Sequence, residues 1–211
     1  MKINTSKLIL SIKDRLTLLP SLARLAPVII IFIAILCSLI NPSAASIYIV
    51  ICIIACSLVN RVFKFIMKPL FGLSKSGSFP ILGCGNRPAG ASNCGLTLSG
   101  GSSKTFGMPS GHAQGTWFIV IYLILITVDL LQVNLDKYNS SKNYKDLVYV
   151  ILNIFGILLL AGIGIYVSYS RVYVEGCHTI QQVIIGGIIG GVLGFLAHYF
   201  KGYFTDRYND S

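Results

Sequence analysis

The sequence predicts an all-α, polytopic membrane helix bundle of about five transmembrane helices, preceded by an N-terminal interfacial helix. Composition is the first observation behind this. Hydrophobic residues make up 54% of the 211 residues and charged residues only 11%, where a soluble domain carries about 25% charge. The second is segregation. No Asp, Glu, Lys or Arg occurs between Arg24 and Arg61, Lys104 and Asp129, Asp146 and Arg171, or Glu175 and Lys201. A spanning helix needs about 20 mostly apolar residues, so each gap holds at least one. The third is punctuation, because Asn41-Pro42-Ser43 breaks the first gap into two.

These observations give spans at 25–41, 44–63, 108–131, 147–169 and 178–200. In 3–24, Ile9, Ile12, Leu16 and Leu19 recur at helical spacing among Lys7, Lys13, Asp14 and Arg15, the pattern of a helix lying along the membrane surface. A disordered basic leader is the alternative. The segment lacks the compact apolar core and small-residue cleavage site of a signal peptide. The domain organisation is a basic N-terminal segment over 1–24, a membrane-embedded domain over 25–200 and a polar tail over 201–211. The polar stretch 64–107 is long enough to be functional, whereas Gln132 to Asp146 reads as a solvated connector. In the last span Gly186, Gly190 and Gly194 fall four apart, as do Gly187 and Gly191. Such small-residue stripes let transmembrane helices approach closely.

The formal net charge is +10. No basic helix face with interleaved aromatics is present, so a nucleic-acid partner is not expected. The bilayer and an anionic lipid substrate explain the excess better. Asp and Glu total 7 and only Glu175 lies near the candidate site. A carboxylate-built metal site is therefore not expected, and no cofactor is implied. Cys37, Cys52 and Cys56 fall within spans as apolar packing residues. Cys84 and Cys94 bracket Arg87-Pro88 and form the expected disulfide if that loop faces an oxidising compartment.

Parity gathers the chemistry. The end of the second span, the start of the third, the end of the fourth and the start of the fifth share one membrane face. That face receives Pro109-Ser110-Gly111-His112, Ser170-Arg171 and His178. Two of the three histidines are in this set. Arg87 and Arg171 offer planar forks of N–H donors. Ser110 adds a hydroxyl, and Gly111 opens a helix whose first-turn amides favour anions. One imidazole can attack phosphorus while the other protonates the departing oxygen. The bland alternative is an ordinary helix start and structural histidines. His198 reads as an interfacial histidine.

As an ordered set, Arg87-Pro88, Pro109-Ser110-Gly111-His112, Ser170-Arg171 and His178 resemble the type-2 phosphatidic acid phosphatase (PAP2) superfamily. These membrane lipid phosphatases are relatives of vanadium haloperoxidases, and the resemblance covers about residues 57–200. It implies a PAP2/haloperoxidase-like core, His178 as nucleophile and His112 as acid for the leaving group. Arg87, Ser110, Gly111 and Arg171 would hold the phosphate. The chain departs from the pattern twice. The family lysine lies seven residues before the arginine, where this chain has Pro80, so Lys64 is assigned the role with Lys68 as runner-up. Gln182 occupies the place of the Asp that orients the nucleophilic histidine, and Glu175 is the nearby source of charge. Ser170-Arg171-Val172-Tyr173, His178-Thr179, Gln182-Val183, Gly107-Met108 and Gln114 look like the dolichyl-diphosphatase branch. That likeness implies a polyprenyl diphosphate substrate, with phosphatidic acid-type lipids next. It also implies an endoplasmic reticulum-type membrane with the site facing the lumen, although the basic N-terminus argues for the cytosolic side. The alternatives are a lipid phosphotransferase and a catalytically silent lipid-binding or transport protein.

Overall fold

Helix ends set the architecture, and most are legible as local chemistry. The computed structural model describes residues 5–73, 78–79, 81–89, 91, 94 and 106–209. Helix α1 (Thr5–Ile40) and helix α2 (Ala44–Leu73) are separated by the expected Asn-Pro-Ser turn. There the Ser43 and Ser46 hydroxyls bond each other at 3.1 Å. The short antiparallel pair β1 (Ser78–Phe79) and β2 (Gly83–Cys84) lies in the following loop. Helix α3 (Gly111–Ser141), helix α4 (Tyr144–Tyr169) and helix α5 (Ile180–Asn209) complete the bundle. Among the described residues five helices are long and apolar enough to cross a membrane. Exposed Phe32, Leu39, Leu158 and Ile188 belong to them, as suits side chains that meet lipid rather than water. The chain is a multi-pass membrane protein.

The helices run further than the charge-free windows. The basic N-terminal segment is helical from Thr5 and continues without interruption into the first span. Helix α2 carries Lys64 and Lys68 on to Leu73, so the polar loop begins later than composition suggested. The expected connector Gln132 to Asp146 shrinks to Lys142-Asn143. Lys142 closes α3 at φ 52° with its N–H on the Tyr138 carbonyl, and Asn143 caps α4 by accepting from the Lys145 N–H at 3.0 Å. An Asn cap satisfies an orphan donor at a helix start, so two residues suffice for the reversal. The tail is helical to Asn209. Charge marks where a helix leaves the hydrocarbon, and says nothing of where its backbone bonds stop.

Helices α3 and α5 form the closest pair. A Cβ at Gly186, Gly190 or Gly194 would strike the backbone carbonyls of Ser110, Gln114 and Phe118 respectively. The two helices therefore touch along three successive turns. Side-chain bonds tie the other helices in. Trp117 Nε1–H donates to Ser168 Oγ on α4 at 2.9 Å, and Tyr48 O–H on α2 donates to the Ala197 carbonyl on α5 at 2.8 Å. Ile53, Cys56, Phe118, Tyr122 and Ala197 form the buried centre between α2, α3 and α5.

At the end of α4 the backbone widens into a π-helical turn, Ser170–Val174, a feature that often marks functional sites. Gly176 follows at φ +60°, a conformation that suits glycine. The chain then reverses, and the Cys177 and His178 N–H groups both donate to the Arg171 carbonyl at 3.0 and 3.2 Å. The reversal sets His178 beside Arg171.

Gly190→Ala is expected to destabilise the protein by about 1–3 kcal/mol, the range for overpacking a filled contact. Gly156→Ala, where a Cβ meets nothing within 4 Å, is expected to be neutral or mildly stabilising. Thermal melting of the two variants in one detergent separates a packing contact from a composition effect.

Candidate active site

Ser110 ends an extended segment and begins α3. Its hydroxyl accepts from the Ala113 N–H at 3.5 Å, and its own N–H donates to the Gln182 carbonyl at 3.0 Å. The first-turn amides of α3, at Gly111 and His112, thus open beside the start of α5, where intrahelical partners are lacking. Asn60 crowds Gly111, since a Cβ there would sit 3.1 Å from Asn60 Oδ1. Asn60 Nδ2 donates to Gln114 Oε1 at 2.7 Å, and Gln114 Nε2 donates to the Cys56 carbonyl at 2.9 Å. This buried amide pair locks α2 to α3 one turn before Lys64.

Gln182 is fully buried and uses its whole amide. Nε2 donates to the carbonyls of Cys84 at 2.9 Å and Asn86 at 2.8 Å. The amide cannot be reversed, because a carbonyl oxygen turned toward two others would leave all of them without donors. Oε1 therefore faces His178 Nδ1 at 2.9 Å, which must donate. His178 is then the tautomer with hydrogen on Nδ1 and a bare Nε2. Arg87 Nη1 lies 3.3 Å from that Nε2 and 3.3 Å from the Cys177 carbonyl. Burial, followed by the charges of Arg87 and Arg171, holds the His178 imidazolium well below the usual histidine range. This favours the neutral ring, with its lone pair toward a guanidinium. Gly107 is required beside this contact, because a Cβ would overlap Gln182 Oε1.

Arg171 is completely buried and ion-paired with Glu175, which caps the π-helical turn. Its Nη2 donates to the Cys94 carbonyl at 3.3 Å, and Ser170 Oγ donates to Glu175 Oε1 at 3.2 Å. Glu175 thus serves Arg171 and not His178. Burial raises its carboxyl and the Arg171 charge opposes that.

His112 points the other way, toward α1. A carbonyl only accepts, so His112 Nε2 carries hydrogen and donates to the Arg24 carbonyl at 3.0 Å, leaving Nδ1 for exchange of a proton. Lys64 lies within electrostatic range of Arg87 and Arg171, whereas Lys68 is exposed. His198 pairs with Asp129 at 2.8 Å on the far half of α5.

The sequence-derived set is therefore drawn from separate elements: Lys64 from α2, Arg87 from the loop after β2, and Ser110, Gly111 and His112 from the start of α3. Arg171 comes from the π-helical turn, His178 from the chain reversal and Gln182 from the start of α5. Two features escaped the sequence reading. Arg24 is one, although it is the last charge before the first span, which was a usable signal. The disulfide is the other. Cys94 pairs with Cys177, with Cα atoms 5.4 Å apart, and Cys84 is a free, exposed thiol. The expected Cys84–Cys94 pairing is thus corrected. Cys84 is held by its own carbonyl on Gln182, while the reversal after Arg171 delivers Cys177 to Cys94. Among the described residues no group of three His, Cys, Asp or Glu side chains is placed to hold a metal ion.

Such an assembly can bind a tetrahedral oxyanion and present an unprotonated imidazole nitrogen to its central atom. The PAP2 superfamily family model matches residues 45–206, most of the chain and all of these residues except Arg24. The chain belongs to the PAP2 superfamily. Among its PAP2 relatives, dolichyldiphosphatase 1 of Homo sapiens is 38% identical over 83 residues, covering 39% of this chain and 31% of that protein. The Callithrix jacchus protein of the same name matches to the same extent, and that of Mus musculus is 36% identical over the same shares. The chain thus aligns with about a third of the length of these curated relatives. No solved structure matches.

Gln182→Glu tests the amide geometry. It keeps the size of the side chain and turns a carboxylate oxygen toward the carbonyls of Cys84 and Asn86. Leaving buried polar groups unsatisfied costs about 1–3 kcal/mol each. The variant is expected to melt lower and to exchange the backbone amides of 83–87 faster, as read by hydrogen exchange. Gln182→Glu melting like the parent would sink the tautomer argument.

Proposed function

We propose that the protein is an integral membrane lipid phosphatase that works through a phosphohistidine and prefers a polyprenyl diphosphate. The single observation carrying this reading is the bare Nε2 of His178, fixed by Gln182 and faced by Arg87 at 3.3 Å. A phosphate held by Arg87, Arg171, Lys64, Ser110 and the Gly111 amide would present its phosphorus to that lone pair. Attack forms the N–P bond and breaks the P–O bond to the leaving group, whose oxygen takes the Nδ1 proton of His112, which enters this step as the imidazolium and keeps its Nε2–H on the Arg24 carbonyl. The Nδ1–H of the phosphorylated ring then rests on Gln182 Oε1. Water, deprotonated by His112, attacks phosphorus, breaks the N–P bond and releases inorganic phosphate. Every step uses groups of the chain itself, so chelators are not expected to inhibit.

The lipid part of the reading is supported by depth. Gly111, Arg171 and Gln182 lie within a few residues of the ends of candidate spanning helices. An apolar groove of about 550 Å³, lined by Trp117, Val172, Val183 and Gly187, runs along α3, α4 and α5. Val172 and Val183 adjoin Arg171 and Gln182 in sequence. The polyprenyl preference rests on the likeness to proteins named dolichyldiphosphatase 1. A disulfide at the site face supports an oxidising compartment, hence the lumenal side of an endoplasmic reticulum-type membrane. We further propose 25–200 as the membrane-embedded domain, with the basic segment 1–24 bringing Arg24 to His112 at its boundary and 201–211 as a polar flank.

The test is phosphate release by the purified full chain from polyprenyl diphosphate and phosphatidic acid. Parent protein is expected to turn over in excess EDTA and to be blocked by vanadate. His178→Asn is expected to lose release by at least about a thousandfold, as removal of a covalent nucleophile does, while melting as a folded protein. Release by His178→Asn at the parental rate would remove the mechanism.

A further inference from the structure

The guanidinium of Arg24 is the candidate group that the phosphohistidine reaction leaves idle. Its Nε is buried and has no hydrogen-bond partner, and the same is true of Arg171 Nε. Buried orphan donors of this kind are rare and costly. Arg24 lies within electrostatic range of both Arg171 and Glu175, and its carbonyl holds the His112 ring at 3.0 Å. Two unsatisfied arginine N–H groups therefore belong to one charged cluster, and the backbone of Arg24 holds the histidine assigned to the leaving group.

Charge points to the ligand. Among the described residues the cluster holds Lys64, Arg87, Arg171 and Arg24 against the single carboxylate of Glu175. The excess of three positive charges exceeds what a phosphate monoester carries and equals the charge of a fully ionised diphosphate monoester. Chemistry gives the same answer. When an alcohol leaves, its oxygen needs only a proton. When the inner phosphate of a diphosphate leaves, it departs as an anion and needs a fixed cation as well.

We propose that Arg24 binds the inner phosphate of a lipid diphosphate, making a second phosphate subsite next to the one built around His178. The proposal rests on the phosphatase reading above. The terminal P–O bond breaks, the terminal phosphoryl group passes to His178, and the lipid monophosphate leaves against Arg24 with a proton from His112. Helix α1 thereby supplies both the leaving-group cation, through its side chain, and the support of the acid, through its backbone.

Two readouts test this in the full chain. In the first, inorganic pyrophosphate and orthophosphate are added at equal concentration and thermal melting is followed. The parent is expected to be stabilised more by pyrophosphate, and Arg24→Gln to lose that difference. In the second, the ratio of kcat/KM for polyprenyl diphosphate to that for polyprenyl monophosphate is measured. Arg24→Gln is expected to lower the ratio at least about tenfold, the size of one lost hydrogen bond to a charged group. Arg24→Lys, which keeps the charge without the fork, is expected to fall between. An unchanged ratio in Arg24→Gln, or a parent that pyrophosphate and orthophosphate stabilise equally, would overturn the proposal. A parent that releases phosphate from neither lipid would instead sink the phosphatase reading, and the melting comparison would still decide the subsite. Should Arg24→Gln not fold, the ratio in Arg24→Lys decides.

Discussion

Helices α3 and α5 touch backbone to backbone, and every polar contact of the site is measured from that line. Within a bilayer no hydrophobic force draws two apolar helices together, so close approach depends on what can be left out of the interface. Gly186, Gly190 and Gly194 leave out everything, and the carbonyls of Ser110, Gln114 and Phe118 occupy the space. At the upper end of this seam the Ser110 N–H reaches the Gln182 carbonyl. The start of α3, with its unsatisfied amides, is thereby set against the residue that orients His178. Larger residues on the stripe would separate the two halves of the site before any side chain of the site itself had changed.

Gln182 occupies a position where a carboxylate would do a different job. An Asp would offer His178 an acceptor and a negative charge, but it has no N–H for the carbonyls of Cys84 and Asn86. The amide supplies both donors and keeps an oxygen for the imidazole. It therefore couples the Arg87 loop to the His178 turn, so that guanidinium and imidazole are fixed by one side chain. Charge is then handled elsewhere. Glu175, at the cap of the π-helical turn, neutralises Arg171, and among the described residues neither Lys64 nor Arg24 has a carboxylate within ion-pair distance. A site with surplus positive charge and few acids is suited to an anion that arrives already deprotonated.

The electrostatics also explain why α1 belongs to the site. Arg24 lies near the start of the first candidate span, Ser21–Ile40, so its charge stands close to the membrane boundary. A charge there needs either a partner or a ligand. The His112 contact through the Arg24 backbone fixes the height of α1 relative to α3. The buried amide pair of Asn60 and Gln114 does the same for α2. Three helices are thus pinned at one level by hydrogen bonds, of which the Asn60–Gln114 pair involves no titratable group.

By itself the sequence determined the helical membrane class, because bilayer thickness demands long apolar runs and charges are excluded from them. It also determined the common face of Ser110, His112, Arg171 and His178, since alternating crossings leave no other arrangement. Helix ends were less legible: the stretches 132–141 and 201–209 are polar yet helical, because backbone hydrogen bonding continues after the hydrocarbon stops. Only the tertiary structure decided that Cys177, and not Cys84, meets Cys94. It alone gave His178 its tautomer and Glu175 to Arg171, and it alone brought Arg24 to His112. These are contacts between residues far apart in the chain or on opposite sides of a tight reversal. They depend on distances of a few ångströms that spacing along a sequence does not encode.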